Sequence, residues 1–191
     1  SIEAADLTGA LINKMAKSGK LCRHLHISIQ SGDDEILKKM RRRYSRGDYL
    51  KLVKKIKNKI PDIAITTDCL IGFPGEAQKH FRNTLGLVKR IIPLRTHIFP
   101  YSARKGTRSY LKPDINLLSR LTVKKNINIL RLAANSCSKI YKERFLGRKL
   151  PVLFEAKSKE RKGYWEGYTD NYIRVRVKSD ENLKNQLIQA K

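Results

Sequence analysis

One mostly apolar run, IAITTDCLI over residues 63–71, does most to limit the folds open to this chain. It follows Pro61, is rich in β-branched side chains, and stops at Gly72-Phe73-Pro74-Gly75. Runs of this kind suit strands covered on both faces, as in parallel sheets. Strand patterns also occur at His24–Ile29, ended by Gln30-Ser31-Gly32, and at Thr96–Pro100, ended by Tyr101-Ser102. Between them, helical spacing of apolar residues predicts helices over Asp48–Ile60 and about Ala77–Ile91. A shorter helix is expected after Asp33 and Asp34, whose charge favours a helix N-terminus, with Ile36, Leu37 and Met40 inward. Strand, helix and strand thus repeat in the β-α-β-α-β order of a parallel sheet. In such sheets the carboxyl ends of strands are where ligands bind. Three units are too few to close a barrel.

The flanks extend this pattern. Ile2–Lys17 reads as an amphipathic helix with Leu7, Leu11, Ile12 and Met15 on one side, and the chain opening directly in it at Ser1 reads as a start inside a larger fold. A long helix is expected from about Asn116 to Phe145, with Leu130, Ala134, Cys137, Tyr141 and Phe145 as its stripe. Strands then follow at Lys149–Glu155 and Tyr164–Lys178, so an α/β unit over 1–145 is succeeded by a small all-β module over 146–191. In the last run Ile173, Val175 and Val177 alternate with Tyr172, Arg174, Arg176 and Lys178. Period-two alternation puts one ring and three cations on one face, either an RNA-binding surface or simply a solvated one.

Charge narrows the partners. Lys and Arg total 42 against 17 Asp and Glu, a formal net charge of +25. With 40% apolar residues the chain holds enough material for a core, which excludes a disordered basic tail. No run is long enough for a membrane span, and no leader pattern is present, so a soluble, cytoplasmic protein is expected. Half of the charge is the wet face of helices; the rest points to nucleic acid. The three cysteines, Cys22, Cys69 and Cys137, lack the close spacing of zinc or iron–sulfur ligands, and His24, His26, His80 and His97 lack metal-like spacing too. No metal site is therefore expected in this chain.

Three segments, HLHISIQSGDDEILKKMRRRYSR, AITTDCLIGFPGE and HIFPYSARKGT, resemble the last three strand-loop units of the radical S-adenosylmethionine methylthiotransferases. The tail, KLPVLFEAK with GYWEGYTDNYIRVRV, resembles the TRAM RNA-binding module, an OB-like fold, that ends those enzymes. The forms GYTDNYIRV and HIFPYS favour the branch acting on threonylcarbamoyladenosine in tRNA. The resemblance implies the carboxyl half of a radical SAM (βα) partial barrel plus a TRAM module. It implies S-adenosylmethionine and [4Fe–4S] clusters as cofactors, tRNA as partner, and methylthiolation at C2 of the modified adenosine beside the anticodon. It leaves the sulfur source and electron donor open.

The family's CxxxCxxC cluster motif is not in this sequence, so the clusters are not expected to be ligated here and the chain alone is expected to be inactive. Smaller departures are Ser28 for Pro, Asp33 for Ser, Cys69-Leu70 for an aliphatic pair, and Lys105 for Pro. By position in the motifs, Gln30, Ser31, Asp68, Gly72, Glu76, Phe99 and Tyr101 would face S-adenosylmethionine or the target base. Other roles stand beside these: Ser31 as a cap of the next helix, Gly72 and Gly75 as turn residues, Phe99 as core. For tRNA the candidates are Tyr168, Tyr172, Arg174, Arg176 and Lys178, with the basic cluster Arg41, Arg42, Arg43 and Arg46. The competing reading is an RNA-binding module without chemistry.

Overall fold

The computed structural model describes residues 1–107 and 118–191. Three parallel strands, β1 (His24–His26), β2 (Ala64–Ile71) and β3 (Arg95–Pro100), form a sheet in that order. Around it lie α1 (Gly9–Lys17), α2 (Asp34–Lys39), α3 (Arg46–Lys59), α4 (Gln78–Ile91) and α5 (Arg120–Glu143). Ile27, Ile29, Ile65, Cys69 and Ile71 are buried in one core with Tyr49, Val53, Ile56, Phe81, Leu87 and Val88. Each large aliphatic there contributes about 1.5–3 kcal/mol by leaving water. Alternation sends His24, His26, Ser28, Thr66, Asp68, His97 and Phe99 to the opposite face, which the helices leave open.

Helix starts follow their capping chemistry. Ser45 accepts from the Asp48 amide while the Asp48 carboxylate accepts from the Ser45 amide, so α3 begins at Arg46, two residues ahead of the expected start. Asp33 caps α2 by accepting from the Glu35 and Ile36 amides. The helix expected over 2–17 is shorter. Ile2 bridges Ile27 at the outer edge of β1, a 3-10 turn covers Ala4–Asp6, and Thr8 caps a helix that starts only at Gly9. Leu11, expected inward, is 36% exposed. The strand expected over His24–Ile29 is regular only to His26. The sheet bonding nevertheless continues, since the Gln30 amide donates to Asp68 O and Gln30 O accepts from the Leu70 amide. Helix α5 carries the expected stripe of Leu130, Ala134, Cys137 and Tyr141; residues 116 and 117 of its expected start lie outside the described residues.

The carboxyl-terminal unit is a four-stranded antiparallel sheet in the order β6-β5-β4-β7, made by β4 (Leu150–Lys157), β5 (Tyr164–Thr169), β6 (Arg174–Lys178) and β7 (Leu187–Ala190). Its core is Val152, Phe154, Trp165 and Leu183. The single strand expected over Tyr164–Lys178 is in fact a hairpin. The Thr169 hydroxyl bonds Asn171 Oδ1 at 2.5 Å and accepts from the Ile173 amide, and Tyr172 takes φ 64°, which turns the chain back. Strand β7 is an addition to the expected elements.

This β-module is fastened at the amino ends of the parallel strands. Arg23 reaches Asp170 with two nitrogens at 2.6 and 3.2 Å. Tyr141 donates to Asp62 O at 2.6 Å and accepts from Asn171 Nδ2 at 3.1 Å. Arg144 and Arg148 both pair with the Asp62 carboxylate, which is held below its ordinary pKa chiefly by the Arg148 hydrogen bond. Among the described residues no helix is long and apolar enough to cross a membrane.

Candidate functional site

The open face of the parallel sheet carries a continuous polar network. The Thr66 hydroxyl lies 2.9 Å from both His24 Nε2 and His26 Nδ1. His26 Nε2 lies 2.9 Å from Asp68 Oδ2, which also accepts from the Ser28 hydroxyl at 2.8 Å. Burial, and then the nearby His26 and Arg95 charges, lower the His24 pKa to about 4, so His24 is neutral at pH 7. With His24 neutral, its Nε2–H can donate to the Thr66 hydroxyl, which also lies within hydrogen-bond distance of His26 Nδ1. His97 sits beside this chain, its ring 6.0 Å from that of His26 and stacked on Phe99.

Donor atoms of His26, Asp68 and His97 all lie within 4.8 Å of one another. Linear spacing hides this group, because three adjacent strands supply one member each. A second group, Asp33, Glu35 and His80, is already committed. Asp33 caps α2 and accepts from Asn83, while His80 Nδ1 accepts from the Ala77 amide and Nε2 meets Glu35 at 3.0 Å. No such group among the described residues includes a cysteine. Cys22 is exposed ahead of β1, whereas Cys69 in β2 and Cys137 in α5 are buried with their thiol pKa values pushed up by burial.

At the carboxyl ends of the strands, the residues expected around S-adenosylmethionine divide into two sets. Gln30 is half-buried at φ 62°, Asp68 and Tyr101 are partly exposed, and Phe99 is 51% exposed. Phe99 is therefore not core. The Tyr101 hydroxyl is buried without a partner among the described residues, and its ring stands edge-on to Phe73. The other set turns inward. Ser31 is fully buried, with its hydroxyl 3.4 Å from Thr84 and accepting from the Asp33 amide. The cap of α2 is Asp33 rather than Ser31. Glu76 is 3% exposed and accepts from the Gly72 amide at 2.5 Å, closing the loop after β2. Burial raises its pKa to about 7, and its second oxygen has no partner among the described residues. Gly72, at φ 86°, turns toward α5, where a Cβ would come within 2.8 Å of Val123. Its role is the turn and the close approach of that helix.

The expected RNA-binding residues are largely engaged within the chain. Arg42 pairs with Glu3 at 3.0 Å and Arg43 with Asp6 at 3.0 Å. Arg41 takes φ 58°, and the Arg46 amide donates to Asp34 at the start of α3. Arg174 and Arg176 do alternate outward on β6, yet both pair with Glu166, and Arg176 also meets Glu160 at 2.5 Å. The Ser158 hydroxyl, then Arg174, hold the Glu166 pKa down to about 2. Tyr172 is stacked on His24 at 4.3 Å and on Tyr168 at 5.0 Å, with Arg95 5.6 Å from its ring centroid. The residue is nevertheless 38% exposed. Lys178 is exposed at the end of β6. Sequence reasoning missed Glu166 and Glu160 as counter-charges; the β5–β6 register that sets Glu166 opposite Arg176 was the required signal.

A parallel sheet with polar side chains on one face and at the carboxyl ends of its strands has the layout of α/β folds, in which strand ends are where ligands bind. Residues 2–88 match the Radical SAM superfamily. Coproporphyrinogen III oxidase from Escherichia coli, titled a radical SAM enzyme, shares the fold at TM-score 0.58 and 18% identity, over 72% of this chain and 31% of that one. The tRNA-2-methylthio-N(6)-dimethylallyladenosine synthase of Fusobacterium nucleatum is 37% identical over 97% of this chain and 42% of its own length. The threonylcarbamoyladenosine tRNA methylthiotransferase of Bacillus subtilis is 35% identical over 100% of this chain and 42% of its own. Over nearly its whole length this chain is therefore similar to tRNA methylthiotransferases, and over residues 2–88 to the radical SAM superfamily. It spans about two fifths of the length of these two curated relatives.

Proposed function

We propose that this chain is part of a tRNA methylthiotransferase that adds a methylthio group to C2 of threonylcarbamoyladenosine beside the anticodon, in the cytoplasm. The single observation that carries this reading is the extent of the likeness: the tRNA methylthiotransferases align with both the parallel sheet and the β-module, not with the sheet alone. The β-module is read as the TRAM-like part that grips tRNA. S-adenosylmethionine fits the open end of the sheet, where the Gln30 amide, the Asp68 carboxylate and the orphaned Tyr101 hydroxyl offer polar partners. Bound there, the cofactor would supply the hydrogen-abstracting radical; the chain's own residues orient it and exclude competing reactions. A [4Fe–4S] cluster does not fit the cysteines of this chain, which lie on separate elements, two of them buried.

The choice of threonylcarbamoyladenosine over dimethylallyladenosine rests on the motif forms and on the chemistry of the open face. His26, Asp68, His97 and Ser28 suit a polar carbamoyl substituent better than an isoprenoid one. The scattered cysteines favour a second reading, an RNA-binding module without chemistry. Deleting the gene and digesting bulk tRNA to nucleosides for mass spectrometry decides between them. The expected result is loss of the methylthiolated threonylcarbamoyladenosine and accumulation of its precursor. Loss of the dimethylallyl product instead overturns the substrate, and unchanged nucleosides overturn the enzymatic role.

A further inference from the structure

At the seam where β3, α5 and the β5–β6 turn meet lies a cleft of about 250 Å³. Four cations border it: Arg95 from β3, Arg131 and Lys142 from α5, and Arg174 from β6. No Asp or Glu is among its lining residues. Arg174 is shared with Glu166 and Glu160, and Arg131 donates to Asn128 Oδ1 at 2.8 Å. Arg95 lies over the Tyr172 ring, and neither it nor Lys142 has an ion-pair partner among the described residues. The cleft also holds Thr96, whose Oγ1 is buried with no hydrogen-bond partner among the described residues.

Arg174 is already paired with Glu166, but in a chain of charge +25 the convergence of the other three, Arg95, Arg131 and Lys142, on one cleft costs energy unless an anion enters. The stranded Thr96 hydroxyl carries a second cost of the same kind, that of a buried polar group left unmade. One ligand relieves both: a phosphate offers several acceptor oxygens to guanidinium, ammonium and hydroxyl donors together. The cleft falls below the roughly 300–1,000 Å³ of sites for whole small molecules, which suits a single phosphate group. Its walls come from both the sheet unit and the β-module.

We propose that this seam binds a backbone phosphate of an RNA strand laid across the sheet unit and the β-module. The inference rests on the reading of RNA as partner and goes beyond the β6 face, whose arginines are neutralised by Glu166.

The test titrates the full chain with an RNA stem-loop by fluorescence anisotropy over a range of salt. Arg131→Gln with Lys142→Gln removes two seam cations that are exposed, so folding is not at risk. Lys54→Gln with Lys55→Gln removes the same charge from the outer face of α3. The seam pair is expected to lower the log–log salt slope by about 0.9, the value for one phosphate no longer neutralised, and the α3 pair to leave it unchanged. Thr96→Val is expected to raise the Tm, because an unsatisfied hydroxyl leaves, and yet to weaken RNA binding several-fold. A hydroxyl with a purely structural role would not separate those two readouts. An equal fall in slope for both pairs would overturn the seam while leaving RNA as partner. A wild-type chain that binds no RNA would overturn the RNA reading itself. If inorganic phosphate raises the Tm of wild type but not of the seam pair, while RNA slopes are equal, the ligand is free phosphate and the polynucleotide assignment is wrong.

Discussion

Replacing Glu76 by glutamine is expected to remove a pH dependence from the stability of the sheet unit. Glu76 is buried behind the loop after β2, with one oxygen on the Gly72 amide and the other without a partner among the described residues. Burial raises its pKa to about 7 from the ordinary 4.5. The folded state therefore holds this proton more tightly than the unfolded state. The stabilisation is complete below about pH 4.5, falls as pH rises, and is gone above about pH 7. At about 1.4 kcal/mol per pH unit the full swing is about 3 kcal/mol. Urea unfolding followed by far-UV circular dichroism, at several pH values across that window, measures it. Subtracting the profile of Glu76→Gln from that of wild type cancels the other titrating groups. The difference should favour wild type progressively toward low pH and be level above neutrality. A difference that stays flat across the window would refute the reasoning, since the carboxylate would then be solvated or paired in the folded chain.

Two further substitutions probe the loop after β2 and the β6 face. Gly72→Ala forces a side chain into φ 86° and against Val123, and should cost at least about 2 kcal/mol, from a left-handed backbone of about 1–2 kcal/mol plus overpacking; an unchanged urea midpoint would show that α5 gives way freely. Glu166→Gln releases Arg174 and Arg176, and should steepen the salt dependence of RNA binding by about one to two in log–log slope; an unchanged slope means those arginines do not face the RNA.

The strands and the longer helices were legible because their signals are local. The β-branched run before Gly72 marks β2, and helix α4 differs from its expected span by a single residue, since Ala77 is its cap. Helix α1 was over-extended because the pattern at Ile2 is compatible with a helix, whereas its partner, Ile27, is distant in sequence. The β5–β6 hairpin did carry a signal, the Thr169-Asp170-Asn171 turn residues, but a strand-like pattern resumes directly after them at Tyr172 and Ile173 and masks it. At the candidate site, residue type and strand-end position drew attention to Gln30, Asp68 and Tyr101. They did not separate these from Ser31 and Glu76, because which side of a loop a side chain takes depends on helices that arrive later. The grouping of His26, Asp68 and His97 depends likewise on strand register.

Among the described residues the β-module meets the sheet at its amino-end corner, near Arg23, Asp62 and Arg95, while the candidate cofactor groups stand at the other end. Strand β2 has eight residues, which at about 3.3 Å each sets these two ends about 26 Å apart. The Arg23–Asp170 and Tyr141–Asp62–Asn171 ties join the module to the amino end. Under the proposed function the two units work as a gauge. At about 3.4 Å per stacked nucleotide, a strand held at one end presents a nucleotide about eight positions away at the other. On that reading, distance from the grip, rather than the identity of neighbouring bases, would set which base reaches the open end.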